Sequence, residues 1–476
     1  MSESARELQL SLAGVLATQI GRPVSVTIPV RLSGGASKES WAFDLLEDGE
    51  PQPLILRRDP AGATNLSLAS NERPILEAAR TGGVPVPRVL WSGAAEAWGG
   101  ATYTIMERVA GETLARRILR DAEFAEARSR LLLQAAGALA QLHAVDPATV
   151  TPPLMHLSVE RLVDQIQAML DEAPNPHPVF ELALRWLRAN MPPEHAPALV
   201  HADFRMGNLI VGPEGLRSVI DWELSHVGDP IRDLGYFCVR SWRFGADDRP
   251  AGGLGSRADL VKAYEAAGGR LVDPQSMHYW EVYGTTVWGV QCTFLAQQFL
   301  RDGVPSVELA AIGRRAVEME YDVLVLLGHC APKSALVAEE GAQAFASRSM
   351  QDRPSAIELL GVTTTFLRRE VLSELEGRLG FHVRVAANVL DIIEREVSLS
   401  PRYEAADTAG LVRIVGRQAS ISEMLETLAH SIRRGDFDGD KDVSDFLAAS
   451  TLRKLSISNP GYVRKNQTEF VQVGKA

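Results

Sequence analysis

Two short loops, each entered from apolar residues, constrain this chain more than any other feature. The first is Leu199-Val200-His201-Ala202-Asp203-Phe204-Arg205-Met206-Gly207-Asn208-Leu209-Ile210-Val211. Its ends read as buried strands and its centre as a pinned loop carrying Asp203 and Asn208. The second, Val219-Ile220-Asp221-Trp222-Glu223, ends another apolar strand with a carboxylate. An alcohol attacking a phosphate needs a base for its proton and a hard cation over the phosphate charge. Asp203, Asn208 and Asp221 form the smallest set that could supply both, with Asp203 as base and Asn208 and Asp221 as Mg²⁺ ligands.

The residues upstream of these loops suit a nucleotide. Residues 24–32 read as a strand, followed by Ser33-Gly34-Gly35-Ala36-Ser37-Lys38 and the alternating strand Trp41-Ala42-Phe43-Asp44-Leu45. Gly34 and Gly35 let backbone N–H groups, with those of Ala36 and Ser37, approach an anion without a Cβ in the way. An ordinary hairpin turn would use the same residues. The next strand ends in Leu56-Arg57-Arg58, and a helix beginning near Ala69 carries Glu72. A strand cation paired to a helix glutamate orients nucleotide phosphates, so Arg57 and Glu72 are candidates; two solvated arginines at a strand end are the alternative. Arginine in this role presents a planar fork where lysine presents a point charge. Residues 101–111 read as a strand running into a hinge, whose backbone at Met106, Glu107 and Val109 could meet an adenine edge. A plain connector would need the same residues.

Farther on the chain turns helical. Leu131, Ala135, Leu139 and Leu142 share one helix face, and His143 at the end of that face reads as a capping or packing residue. Asp233 sits before a helical run and reads as structural, either capping that run or holding the Asp203 loop by accepting backbone hydrogen bonds. Tyr279, Trp280, Tyr283, Trp288 and Phe294 could wall an acyl pocket, but aromatics at such spacing are more often interior. Residues 333–353 lose their apolar periodicity and read as a linker. Beyond them Val385, Val389, Ile392, Ile393 and later Ile421, Met424, Leu425, Leu428 and Ile432 repeat at helical spacing. The acidic run 435–442 has its glycines out of register for a calcium loop and reads as an interhelical connection.

Composition narrows the class. With 46% hydrophobic and 23% charged residues and no apolar run long enough to span a bilayer, the expectation is a cytoplasmic protein without a membrane segment. Its first twenty residues read as an amphipathic helix and not as a signal peptide. A net charge of −11 argues against a nucleic-acid surface, and three scattered cysteines suggest neither disulfides nor zinc.

At His201-Ala202-Asp203-Phe204-Arg205-Met206-Gly207-Asn208 and Ile220-Asp221-Trp222 the chain resembles the aminoglycoside phosphotransferase and choline kinase-like superfamily. Together with Ser33 to Glu39, Leu56-Arg57-Arg58 and Asp221-Trp222-Glu223-Leu224, these residues look most like the branch associated with acyl-CoA dehydrogenases. The resemblance implies an α+β, bilobal protein-kinase-like fold with a small antiparallel β-sheet N-lobe (1–108) and a mainly helical C-lobe (109–332). It further implies ATP and Mg²⁺ as cofactors and a small-molecule hydroxyl substrate, a 4-hydroxyacyl-CoA in that branch. Arginine at the Arg57 position is common there, whereas Ala202 stands where glycine is frequent. Within the family motif His201 braces the loop, and Arg205 either pairs with an acid or faces an anionic substrate. The C-terminal part (354–476) resembles a small helical domain family that accompanies such kinases, which implies an added all-α domain. An aminoglycoside or amino-alcohol kinase, or an inactive kinase-like scaffold, are the alternatives, and an oligomer is compatible with all of them. The elements Asp-Phe-Gly and Ala-Pro-Glu, expected of a protein kinase, are absent.

Overall fold

The computed structural model describes residues 4–32, 38–46, 50–59, 72–302, 306–332 and 354–463. The glycine loop Gly34, Gly35, Ala36 and Ser37, the start of a helix near Ala69 and the linker 333–353 lie outside these residues. In chain order the elements are α1 (Ala5–Ile20), β1 (Ser25–Val26), β2 (Val30–Arg31), β3 (Glu39–Leu46), β4 (Gln52–Arg58), α2 (Arg73–Thr81), β5 (Val89–Ala95) and β6 (Ala101–Glu107). Next come α3 (Ala115–Arg120), α4 (Ala125–His143), α5 (Val159–Asp171), α6 (Pro178–Ala189), β7 (Ala198–Val200), β8 (Leu209–Gly212), β9 (Gly215–Val219), β10 (His226–Gly228), α7 (Ile231–Phe237) and α8 (Arg257–Ala266). The chain ends with α9 (Pro274–Asp302), α10 (Val307–Gly313), α11 (Ala316–Leu326), α12 (Ala356–Phe366), α13 (Gly377–Val415), α14 (Ile421–Arg434) and α15 (Lys441–Ser458). Two units form: Met1–Ser158 with Pro193–Met277, and Val159–Pro192 with His278–Ala476.

The first unit is built on an antiparallel sheet in the order β1-β3-β4-β6-β5, with β2 also on β3. Residues 24–32 do not make one strand. Pro29, which has no N–H for a ladder, separates β1 from β2. Leu8, Leu12 and Leu16 of α1 are fully buried against Trp41, Phe43, Leu45, Leu54, Leu56 and Ile105. Each leucine so buried contributes ~2 kcal/mol. Alternation along β4 then puts Arg57 on the opposite face from Leu54 and Leu56. The α1 face thus forms the core and leaves the other face of the sheet for polar work.

Helix α2 starts at Arg73, with Glu72 as its N-cap residue and Pro74 in the first turn. Proline favours that position because its missing N–H would be unpaired there anyway. In α4 the expected face is the buried one: Leu131, Ala135, Leu139 and Leu142 are at most 1% exposed. Among the described residues no helix is long and apolar enough to cross a membrane.

In the second unit the C-terminal helices share a core with earlier ones. Met424, Leu428 and Ile432 of α14 and Phe446, Leu447 and Leu455 of α15 pack in one cluster with Val179 and Ala183 of α6 and Tyr321 and Leu324 of α11. Arg433 pairs with the buried Glu181, and Tyr462 donates to Asp322. Residues 354–463, read from the sequence as a separate helical domain, share this core with α6 and α11 of the 109–332 segment. Tyr279, Trp280 and Tyr283 are at most 2% exposed and stack edge-on in sequence, which makes them interior packing. In the acidic run, Asp440 caps α15 and Asp438 pairs with Arg185.

Candidate active site

Asp203 lies between β7 and β8 on a loop whose backbone is held from beneath by Asp233. That carboxylate, 0% exposed, accepts from the His201 and Ala202 N–H groups at 2.8 and 2.7 Å. His143, at the end of α4, adds a third contact through Nε2 at 3.1 Å, and its Nδ1 meets the Tyr264 hydroxyl at 2.9 Å. Burial works against a charge on Asp233, but His143, His201 and the backbone donors outweigh it and keep the carboxyl below its ordinary range. The expected structural role of Asp233 is what the geometry displays.

His201 spends both ring nitrogens on the main chain. Nε2 donates to the Ile220 carbonyl at 3.1 Å, and Nδ1 accepts from the Asp203 N–H at 3.2 Å. With its ring 4.6 Å from that of Trp222, it braces the Asp203 loop against the Asp221 loop. The pairing leaves neither ring nitrogen for proton transfer.

Three side chains converge on the Asp203 carboxylate. Arg205 Nε donates to its two oxygens at 3.1 and 3.2 Å, and Asn208 Nδ2 donates to Oδ2 at 2.6 Å and to the Asp203 carbonyl at 2.9 Å. Tyr236, on α7, hydrogen-bonds the same carboxylate, and burial together with the Asp203 charge pushes its phenol well above the ordinary value. Burial opposes the charge on Arg205, yet Asp203 and Asp221 hold that charge firmly. Its guanidinium also lies 4.9 Å from the Trp242 ring centroid. Of the two readings of Arg205, pairing with an acid is the one observed.

On the sheet side, Arg57 joins two segments far apart in sequence. Nη1 donates to Glu72 Oε2 at 2.8 Å, and Nη2 donates to Asp221 Oδ1 at 2.9 Å, with Glu223 at 3.9 Å. Burial disfavours this cation, but the three carboxylates raise its pKa above the usual value. The expected Arg57–Glu72 pair is thus present, and Asp221 belongs to the same network. At the hinge, Glu107 and Arg108 spend their N–H groups on the Arg88 and Pro53 carbonyls at 3.0 and 3.1 Å. Val109 makes no such donation among the described residues, while Met106 sits buried in the sheet. Glu112 then pairs with Val211. There Gly111 is required, since a Cβ would lie 2.6 Å from Ile210 and 2.9 Å from the Val211 carbonyl.

In the two motif loops, Ala202 at φ 69° and Asp221 at φ 73° adopt left-handed backbone without being glycine. That conformation costs an L-residue about 1–2 kcal/mol. At Ala202 the penalty explains why glycine suits this position. The extra unfolded-state freedom of glycine costs about 0.4–1 kcal/mol. Ala202→Gly is therefore expected to stabilise the protein by about 0.5–1 kcal/mol, read as a higher urea midpoint. A lower midpoint would show that packing of the buried methyl outweighs the backbone strain.

Residues 30–270 match the phosphotransferase enzyme family. The chain belongs to that family. Residues 373–462 match a domain of unknown function (DUF6285). Acyl-CoA dehydrogenase family member 10 of Mus musculus is 28% identical over 240 residues, 49% of this chain and 22% of the relative. Acyl-CoA dehydrogenase family member 11 of Gallus gallus is 33% identical over 205 residues, 39% of this chain and 25% of the relative. The chain thus spans about a quarter of the length of these curated relatives. A solved structure from Ralstonia eutropha, described as an aminoglycoside phosphotransferase, superposes with a TM-score of 0.51 at 22% identity, covering 67% of this chain and 96% of that one. At that identity the likeness shows the fold, an α+β kinase-like one.

Within this phosphotransferase, several contacts were not legible from the motifs. Lys38, Glu223 and Tyr236 stand in stretches with a recognisable pattern and Trp242 does not, and the partners of all four come from other elements. For Tyr236 the available signal was its position three residues after the loop-holding Asp233, on one short helix.

Proposed function

We propose that this protein is an ATP- and Mg²⁺-dependent small-molecule kinase that transfers the γ-phosphate to a substrate hydroxyl, with a 4-hydroxyacyl-CoA as acceptor. The observation that carries the reading is the Asp203 carboxylate fixed by Arg205 and Asn208 beside an Asp221 tied to Glu72 through Arg57. Asp203 accepts the hydroxyl proton as the oxygen bonds to the γ-phosphorus and the bond to the ADP oxygen breaks. Arg205, 3.1 Å from Asp203, places a fixed positive charge where the phosphoryl group acquires negative charge. Val109, three residues after Met106 and two after Glu107, offers its N–H to an adenine edge.

The donor set fits a magnesium ion. Asn208 commits its amide nitrogen to Asp203, which leaves the amide oxygen as a ligand, and Asp221 gives Arg57 only Oδ1. One carboxylate and one neutral oxygen suit Mg²⁺, which completes its shell with water and phosphate oxygens. When bound, the ion would neutralise charge on the transferring phosphate.

An acyl-CoA acceptor is supported by the names of the curated relatives, both acyl-CoA dehydrogenase family members. The test is incubation with ATP, Mg²⁺ and a panel of 4-hydroxyacyl-CoAs and aminoglycosides, read by mass spectrometry. A phosphate gain on a hydroxyacyl-CoA is expected. Phosphate on an aminoglycoside alone would overturn the substrate, and no product from any acceptor would overturn the kinase.

A further inference from the structure

Glu72 holds two cations. Its Oε2 takes Arg57 at 2.8 Å, while its Oε1 stands 3.4 Å from Lys38 Nζ. The same ammonium is 4.0 Å from Asp59 Oδ1, and the Lys38 side chain is only 5% exposed. Register explains the convergence. Ser40 faces Arg57 across β3 and β4, and Lys38, two residues before Ser40, falls on the same side of the sheet.

The two cations are held differently. Arg57 is committed through both arms of its fork, to Glu72 and to Asp221, with Glu223 nearby. Turning it toward a nucleotide would break the strut joining the sheet to the Asp221 loop. Lys38 sits beyond hydrogen-bond length from Asp59 and near the outer limit from Glu72, so charge holds it and not short directional bonds. An ammonium on a flexible stem can rotate toward a new anion without losing a planar match.

We propose that Lys38 is the phosphate-directed cation of this site and that Arg57 serves as the strut fixing Glu72 to Asp221. The assignment rests on the kinase reading above. It explains how an arginine can occupy the strand position without costing the site its lysine: the ammonium comes from the residue just before the neighbouring strand. A lysine binds phosphate as a point charge, whereas arginine excels at bridging two carboxylates.

The test compares Mg²⁺·ATP with adenosine, by calorimetry, on the full chain and on Lys38→Met. A lost charge-assisted contact to phosphate is expected to weaken ATP at least about tenfold, with adenosine affinity kept. Equal ATP affinity in the two proteins overturns the assignment. In parallel, the wild-type protein is labelled with an adenosine carrying a sulfonyl fluoride in place of its phosphates, and the modified lysine is located by mass spectrometry. Label on Lys38 that ATP blocks is expected, and label only on other lysines overturns the assignment. Should Lys38→Met lose adenosine as well as ATP, the label on the wild type decides. A wild-type protein that binds neither ATP nor adenosine refutes the kinase reading itself.

Discussion

Asp203→Asn is expected to lower phosphoryl transfer by about 10²–10⁴-fold, while affinity for a non-hydrolysable ATP analogue stays close to wild type. The substitution keeps the shape of the side chain and removes the proton acceptor. It also disturbs the donors around it. Arg205, Asn208 and Tyr236 all hydrogen-bond this carboxylate, and an amide there can accept at one atom only. A modest loss of stability, about 1–3 kcal/mol, accompanies the change. The contrast between the two readouts is the point of the experiment, because a general collapse of the loop would lower nucleotide affinity along with the rate. If Asp203→Asn forms the same phosphorylated product at the wild-type rate, Asp203 is not the base.

Asp233→Ala is expected to destabilise the first unit by about 3–5 kcal/mol and to abolish activity, although Asp233 touches no reacting group. Removing its carboxylate strands the buried His201 and Ala202 N–H groups and takes away the partner of His143 Nε2. Ala202 then loses the bonds that hold it at positive φ, so the loop relaxes and Asp203 shifts. Chemical denaturation followed by tryptophan fluorescence reads the stability, and a wild-type midpoint would refute the role. The pH dependence has a definite sign. Since the folded carboxyl lies below its ordinary value of 3.8, its stabilisation is present above that pH and is lost as the solution is acidified through the lower, folded value. Asp233→Ala should flatten this acid limb.

The catalytic candidates were legible because the information is local. Asp203 and Asn208 are five residues apart on a loop between two apolar segments, and any fold that buries those segments brings both side chains to one end. His201 could be read as a brace for the same reason, whereas Asp233 reaches the loop from 32 residues beyond His201. Arg57 and Glu72, fifteen residues apart, followed from a strand-to-helix order. Less was legible where packing decided between equal alternatives. Arg205 could have paired with an acid or faced an anionic substrate, and in the structure it pairs with Asp203 and lies against the Trp242 ring. The aromatic run from Tyr279 to Tyr283 could have walled a pocket, but burial makes it interior.

By itself, then, the sequence determined the family and reaction class, the two loops, the buried faces of α1 and α4 and the helical character of the C-terminal part. Periodicity and short spacings encode these within a few turns or one loop. Only the tertiary structure decided that Arg57 reaches Asp221 across 164 residues, that Tyr236 and Trp242 complete the shell around Asp203 and Arg205, and that α14 and α15 share a core with α6 and α11. Such contacts depend on strand register and on which buried faces find each other. Neither property is written in any single stretch of chain.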